Sequence, residues 1–152
     1  METSAQGNGS GVLMRVAPSA RSAERVVPIT ENTARLLGAA AILGIAVIHI
    51  LDAASTYYST QWIFWAYMAL IVAAIPVTLL LLHSTSTLGW VAAAGLAAGP
   101  LVAYLWSRSI GLPGDAGDIG NWLCTLGMVA LFVETFLLAL SVTRLAMGRR
   151  SR

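Results

Sequence analysis

The chain has 152 residues, of which 57% are hydrophobic and only 11% charged. A soluble domain carries about 25% charged residues, so this composition excludes an ordinary aqueous surface and fits one that faces lipid. The formal net charge of +2 is small and comes mostly from the two ends, which speaks to membrane topology and gives no basic surface for nucleic acid.

All nine basic residues are Arg, and Ala and Gly abound, a usage associated with GC-rich bacterial genomes. A single cysteine, Cys124, excludes an intrachain disulfide and a four-cysteine metal site. A helix needs roughly 20 apolar residues to cross the hydrocarbon. Four such segments predict an all-α polytopic membrane protein, a four-transmembrane-helix bundle, over residues 33–147.

Residues 1–32 are polar and are expected to form a disordered cytoplasmic tail, having too little apolar surface to offset ordering. The run from Gly11 to Met14 is too short for the apolar core of a secretory signal. Residues 22–31 read as an amphipathic stub interrupted at Pro28. The first span covers about 34–54, with Arg35 at its start and Asp52 near its end. Cleavage after Ala54 would put Asp52 where a signal peptidase wants a small residue, so this span is expected to stay.

The second span covers about 61–82, and Tyr57, Tyr58, Trp62, Trp65 and Tyr67 crowd its start as an interfacial aromatic belt would. The third covers about 87–106 and the fourth about 121–146, leaving 148–152 as a basic cytoplasmic tail. Short loops at 55–60 and 83–86 predict antiparallel neighbours. Arg15, Arg21, Arg25 and Arg35 precede or open span one, and Arg144, Arg149, Arg150 and Arg152 end or follow span four. Only Arg108 lies on the other side, so the positive-inside rule places both termini in the cytoplasm. The expected location is the cell membrane.

Four residues form the candidate intramembrane polar site: His49, Asp52, Arg108 and Glu134. His49 and Asp52, three apart, share a helix face with Ile45 and Thr56. An ionisable group at that depth is costly unless it is paired or wetted, so it is expected to face the bundle interior. The pair can relay protons or ligate a metal. Alternatively, Asp52 sits at the interface and orients His49 or pairs with Arg108. Glu134 has no charge near it in sequence and shares a small-residue face with Gly127, Ala130 and Ser141. Its carboxyl is expected to stay protonated unless a partner compensates its desolvation, and it serves either as a proton or ligand site or as a packing hydrogen bond. Counting the rise per residue from the span ends puts Glu134 and His49 about 10 Å apart in depth. One metal site using both is therefore not expected, whereas a pocket joining them is.

Pro76 and Gly99-Pro100 interrupt spans two and three, where they can widen a cavity. Gly95-x-x-x-Gly99 is a close-packing motif, inside the bundle or between copies. The loop 108–120 is rich in Gly and Pro and demands tight turns. Asp118 is expected to cap span four. His83 has no second histidine at its depth, so a bis-histidine haem is not supported, and Cys124 reads as a packing residue.

The loop Arg108-x-x-Gly111-Leu112-Pro113-Gly114, followed by Trp122 and Glu134, resembles that of a group of small uncharacterised four-helix bacterial membrane proteins. The resemblance covers mainly the second half of the chain. It implies four spans and an ordered outer loop, and carries no activity or substrate.

With no catalytic or cofactor motif, a non-enzymatic role is favoured: an accessory subunit, or a small-ligand-binding membrane module open to the outer face. The bilayer is the expected partner, with a homo-oligomer or larger membrane complex as the form of assembly. No cofactor or metal is expected. A small proton-coupled transporter or channel is the alternative, using Glu134 as proton carrier, although no inverted repeat is evident. A membrane metal or redox protein built on His49 is the third reading.

Overall fold

A computed structural model describes residues 30–84 and 86–150. The expectations for residues 1–29, the disordered tail and the amphipathic stub, lie outside these residues. The described residues form an all-α bundle of four helices: α1 (Glu31–Ser59), α2 (Gln61–His83), α3 (Leu88–Ser109) and α4 (Thr125–Arg150). All four are long and apolar enough to cross a bilayer. Large apolar side chains point outward along them, among them Leu51, Val72, Val102 and Phe132, as a lipid-facing surface requires.

Several boundaries differ from the sequence reading. α1 starts at Glu31, because Thr30 caps it by accepting the Thr33 amide at 3.3 Å. Residues 31 and 32 are thus helix rather than tail. The supposed loop 55–60 shrinks to Thr60 alone. Its amide donates to the Thr56 carbonyl (2.9 Å) to close α1, and its own carbonyl accepts from Ile63 (3.0 Å) to open α2. α4 begins at Thr125 instead of residue 121 and continues through Arg150, so residues 148–150 extend the helix. Asp118, seven residues before Thr125, does not cap it.

The helices follow one another around the bundle as antiparallel neighbours, with α4 closing back onto α1. One diagonal pair, α1 and α3, also touches, while α2 and α4 stay apart. The packed core draws on Ala34, Ile42 and Ile45 of α1, Leu81 of α2, Trp90, Ala93 and Ala97 of α3, and Leu137 of α4. These residues all lie in the half where α1 begins and α4 ends, here called the terminal half. The other half carries the α1–α2 junction and the α3–α4 loop and is called the loop half.

Small residues explain why the terminal half closes. A Cβ on Gly38 would lie 2.8 Å from Leu81 Cδ2 and 3.3 Å from the Trp90 ring. Polar groups tie that end together. Glu31 Oε1 accepts from Arg35 Nε (2.8 Å) and Trp90 Nε1 (3.1 Å), and its Oε2 lies 3.5 Å from Arg144. Arg35 also donates to the carbonyls of Leu81 (2.7 Å) and Ser84, satisfying the frayed end of α2. By contrast, a Cβ on Gly95 or Gly99 would meet nothing within 4 Å. The Gly-x-x-x-Gly stripe therefore makes no close approach inside the bundle.

Gly38→Val is expected to lower stability by about 1–3 kcal/mol through overpacking. Gly95→Ala should change it by less than about 0.5 kcal/mol. Thermal or denaturant unfolding of the purified protein in detergent distinguishes the two.

Candidate functional site

The loop half is hollow. A cavity of about 680 Å³ reaches from Glu134 and His49 up to the α3–α4 loop. All four sequence-predicted residues, His49, Asp52, Arg108 and Glu134, line it. Two features keep this half open. Pro100, inside the continuous α3, lines the wall without donating a backbone hydrogen bond, and Tyr67 and Tyr104 project from α2 and α3 where the terminal half has alanines.

Glu134 and His49 form the floor. Glu134 is 1% exposed and His49 7%. His49 Nε2 lies 3.9 Å from Glu134 Oε1. The expected depth difference between them is therefore wrong, for a physical reason. It counted residues 121–124 as helix and ended span one at residue 54, whereas α1 continues to Ser59. Measured from the true helix ends, Glu134 is nine residues into α4 and His49 ten residues from the end of α1. At about 1.5 Å per residue both lie about 14–15 Å deep. His49 Nδ1 is 2.8 Å from the Ile45 carbonyl. A carbonyl only accepts, so Nδ1 carries the hydrogen, and in the neutral ring Nε2 is left as an acceptor. The Glu134 carboxyl accepts no hydrogen bond from any described residue.

Asp52 neither orients His49 nor pairs with Arg108. Its Oδ2 accepts from the Tyr67 hydroxyl at 2.9 Å. The Tyr67 ring meets the His49 ring edge-on, with centroids 4.8 Å apart. Tyr67 is thus turned into the bundle, whereas its expected companions in the aromatic belt, Trp62, Trp65, Tyr57 and Tyr58, are exposed. Tyr67 is the cavity-lining residue the sequence reading missed. Its signal was the spacing Ile63, Tyr67, Leu70, Ala74, which alternates by four and three along the inward stripe of α2. Tyr104 stands in the same kind of register with Ala93, Ala97 and Pro100 on α3.

The loop forms the rim. Arg108, buried at the end of α3, makes an ion pair with Asp118, and its guanidinium sits 4.9 Å over the Tyr104 ring. The Arg108 carbonyl accepts from the Gly120 amide at 2.9 Å, and Tyr104 donates to the Trp122 carbonyl at 2.9 Å. Asp118 therefore fastens the loop to α3. Leu112 and Asp115 exchange backbone hydrogen bonds at 3.2 and 2.9 Å around Pro113-Gly114. With Gly114 at φ 77°, this is a type II turn, which needs glycine at its third position. Trp62 Nε1 donates to the Pro113 carbonyl at 2.8 Å and pins that turn to α2. Burial and the neighbouring Asp118 charge push the Asp115 carboxyl above its ordinary range, while Arg108 acts the other way.

Among the described residues, no group of three His, Cys, Asp or Glu side chains is arranged to hold a metal ion. No family model, curated protein or solved structure matches the chain.

Tyr67→Phe keeps the ring but removes the donor to Asp52. It is expected to cost about 1.5 kcal/mol, the low end for a hydrogen bond to a charged group, because Asp52 is partly exposed. A double-mutant cycle with Asp52→Asn, read by unfolding, checks the coupling. At Asp115 the folded state holds its proton more tightly than the unfolded state. Wild type therefore loses stability relative to Asp115→Asn as pH rises through the carboxylate range, and the two converge at its acid end. Melting curves from pH 4 to 8 show this directly.

Proposed function

We propose that this protein is a four-span membrane protein with both termini in the cytoplasm, and that it binds a small amphipathic ligand in a cavity open to the outer face. One observation carries the reading: the terminal half has a packed core, with an open cleft of about 310 Å³ beside Glu31, Trp90 and Arg144, whereas the loop half is hollow and gathers buried ionisable groups. Its volume of about 680 Å³ falls within the usual range for small-molecule sites, roughly 300–1,000 Å³. Buried ionisable groups inside a membrane bundle mark functional sites by default, since their burial is otherwise costly.

The orientation rests on the distribution of Arg. Arg35 and Arg144 lie in the terminal half, while Arg108 in the loop half is neutralised by Asp118. The packed core of the terminal half favours binding over conduction by a channel, which needs a continuous route to the opposite face; against a transporter stands the lack of an evident inverted repeat. The metal reading is weaker, since the two ligand types that come together at the floor are a single histidine and a single glutamate. An accessory subunit of a larger membrane complex would use the same cavity to hold its ligand.

Cys124, the chain's one cysteine, lines the cavity and is partly exposed, so it reports on access. In intact cells a membrane-impermeant maleimide is expected to label Cys124 without permeabilisation. Labelling only after permeabilisation would reverse the topology. A thermal-shift screen of amphipathic compounds should yield hits that both stabilise the protein and slow this labelling. Stabilisation without slowed labelling would place the ligand elsewhere.

A further inference from the structure

The charges and hydrogen-bonding groups of the cavity define what it can hold. Among the described residues that line it are four carboxylates, Asp52, Asp115, Asp118 and Glu134, and one guanidinium, Arg108. Arg108 is paired with Asp118 and stacked on Tyr104, and its buried Nε has no partner among the described residues. Asp52 has hydroxyl donors but, among the same residues, no cation. Four carboxylates against one guanidinium that is already ion-paired leave the cavity more hospitable to a cation than to an anion.

The floor is more selective than the charge count. Glu134 is almost completely buried and borders the cavity, yet its carboxyl accepts no hydrogen bond from a described residue. His49 spends its Nδ1 hydrogen on Ile45, so Nε2 faces Glu134 as an acceptor. With Glu134 ionised and the His49 ring neutral, the floor presents two acceptors 3.9 Å apart and no donor between them, so a ligand that keeps Glu134 ionised must bring the donor and the compensating charge. A protonated amine supplies both donors and positive charge. Above the floor the walls are apolar and aromatic, with Ile63, Leu70, Leu126 and Trp62. They suit a hydrophobic body rather than a small ion.

We propose that the cavity binds a hydrophobic ammonium ion, with its N–H groups on Glu134 and His49 and its apolar body along the walls below the loop. This inference rests on the ligand-binding reading above and specifies its ligand class.

The test uses the full chain in lipid nanodiscs, with empty discs as blank. Three probes share one body and differ in the head: 4-phenylbutylamine, 4-phenylbutanol and 4-phenylbutanoate. Binding is followed by calorimetry and by protection of Cys124 from maleimide. The amine is expected to bind saturably, at least tenfold tighter than the alcohol, with the carboxylate weakest. Glu134→Gln, which keeps size and removes charge, should weaken amine binding at least tenfold and alcohol binding by much less, so that the preference for the amine collapses. If that variant does not fold, His49→Gln and Asp52→Asn each serve, with an expected severalfold loss for the amine alone. Equal or tighter saturable binding of the alcohol or the carboxylate, with Cys124 protected, overturns the ammonium assignment and leaves the ligand-binding reading standing. No saturable binding of any probe overturns the ammonium assignment. If the amphipathic screen is also silent, the ligand-binding reading falls with it.

Discussion

The architecture depends on how closely α1 can approach its neighbours in one half of the bundle. Lipid offers no hydrophobic drive for helices to associate, so close van der Waals contact and polar ties must hold them. Gly38 lets Leu81 and the Trp90 ring come against the α1 backbone, and Ala93 and Ala97 let α3 reach α1 across the diagonal. Glu31 and Arg35 then tie all four helices at that end. With one end fixed, the helices can part toward the other without losing the fold.

The parting creates the site. Where α1 and α3 no longer touch, the inward stripe changes from small apolar residues to His49, Asp52, Tyr67, Tyr104, Arg108 and Glu134. These residues divide into two layers. At the rim, Arg108 and Asp118 neutralise each other and hold the loop, so their role is largely structural. Toward the floor, the Asp52 carboxylate has two neutral donors, Tyr67 and Ser55, and Glu134 has none among the described residues, so unmet hydrogen-bonding demand increases with depth. On the proposed reading, this ordering would favour a cation at the floor over one at the self-neutralised rim.

The loop between α3 and α4 acts as a built wall. The turn at Pro113-Gly114, its tie to Trp62, and the Arg108 and Tyr104 contacts hold it against three elements. A fixed rim limits what enters and keeps the cavity from collapsing onto itself. A pocket shaped before its ligand arrives loses less conformational freedom on binding.

Much of this was legible from the residues alone. Four apolar segments, their antiparallel order and the small-residue face around Glu134 follow from composition and helical spacing, because hydrocarbon tolerates few other arrangements. The inward register of Tyr67 was also present, in its three-and-four spacing with Ile63, Leu70 and Ala74, although its interfacial neighbours masked it. Pairing was not legible. That Asp52 meets Tyr67, that Asp118 meets Arg108 rather than capping α4, and that Glu134 stands level with His49 depend on where helices start and how far they are displaced along one another. Four non-helical residues before Thr125 shift Glu134 by about 6 Å at the helical rise, enough to join or separate two side chains. The sequence by itself determined which residues face inward, since that is a property of one helix. Only the tertiary structure decided which of them meet, since that is a property of two.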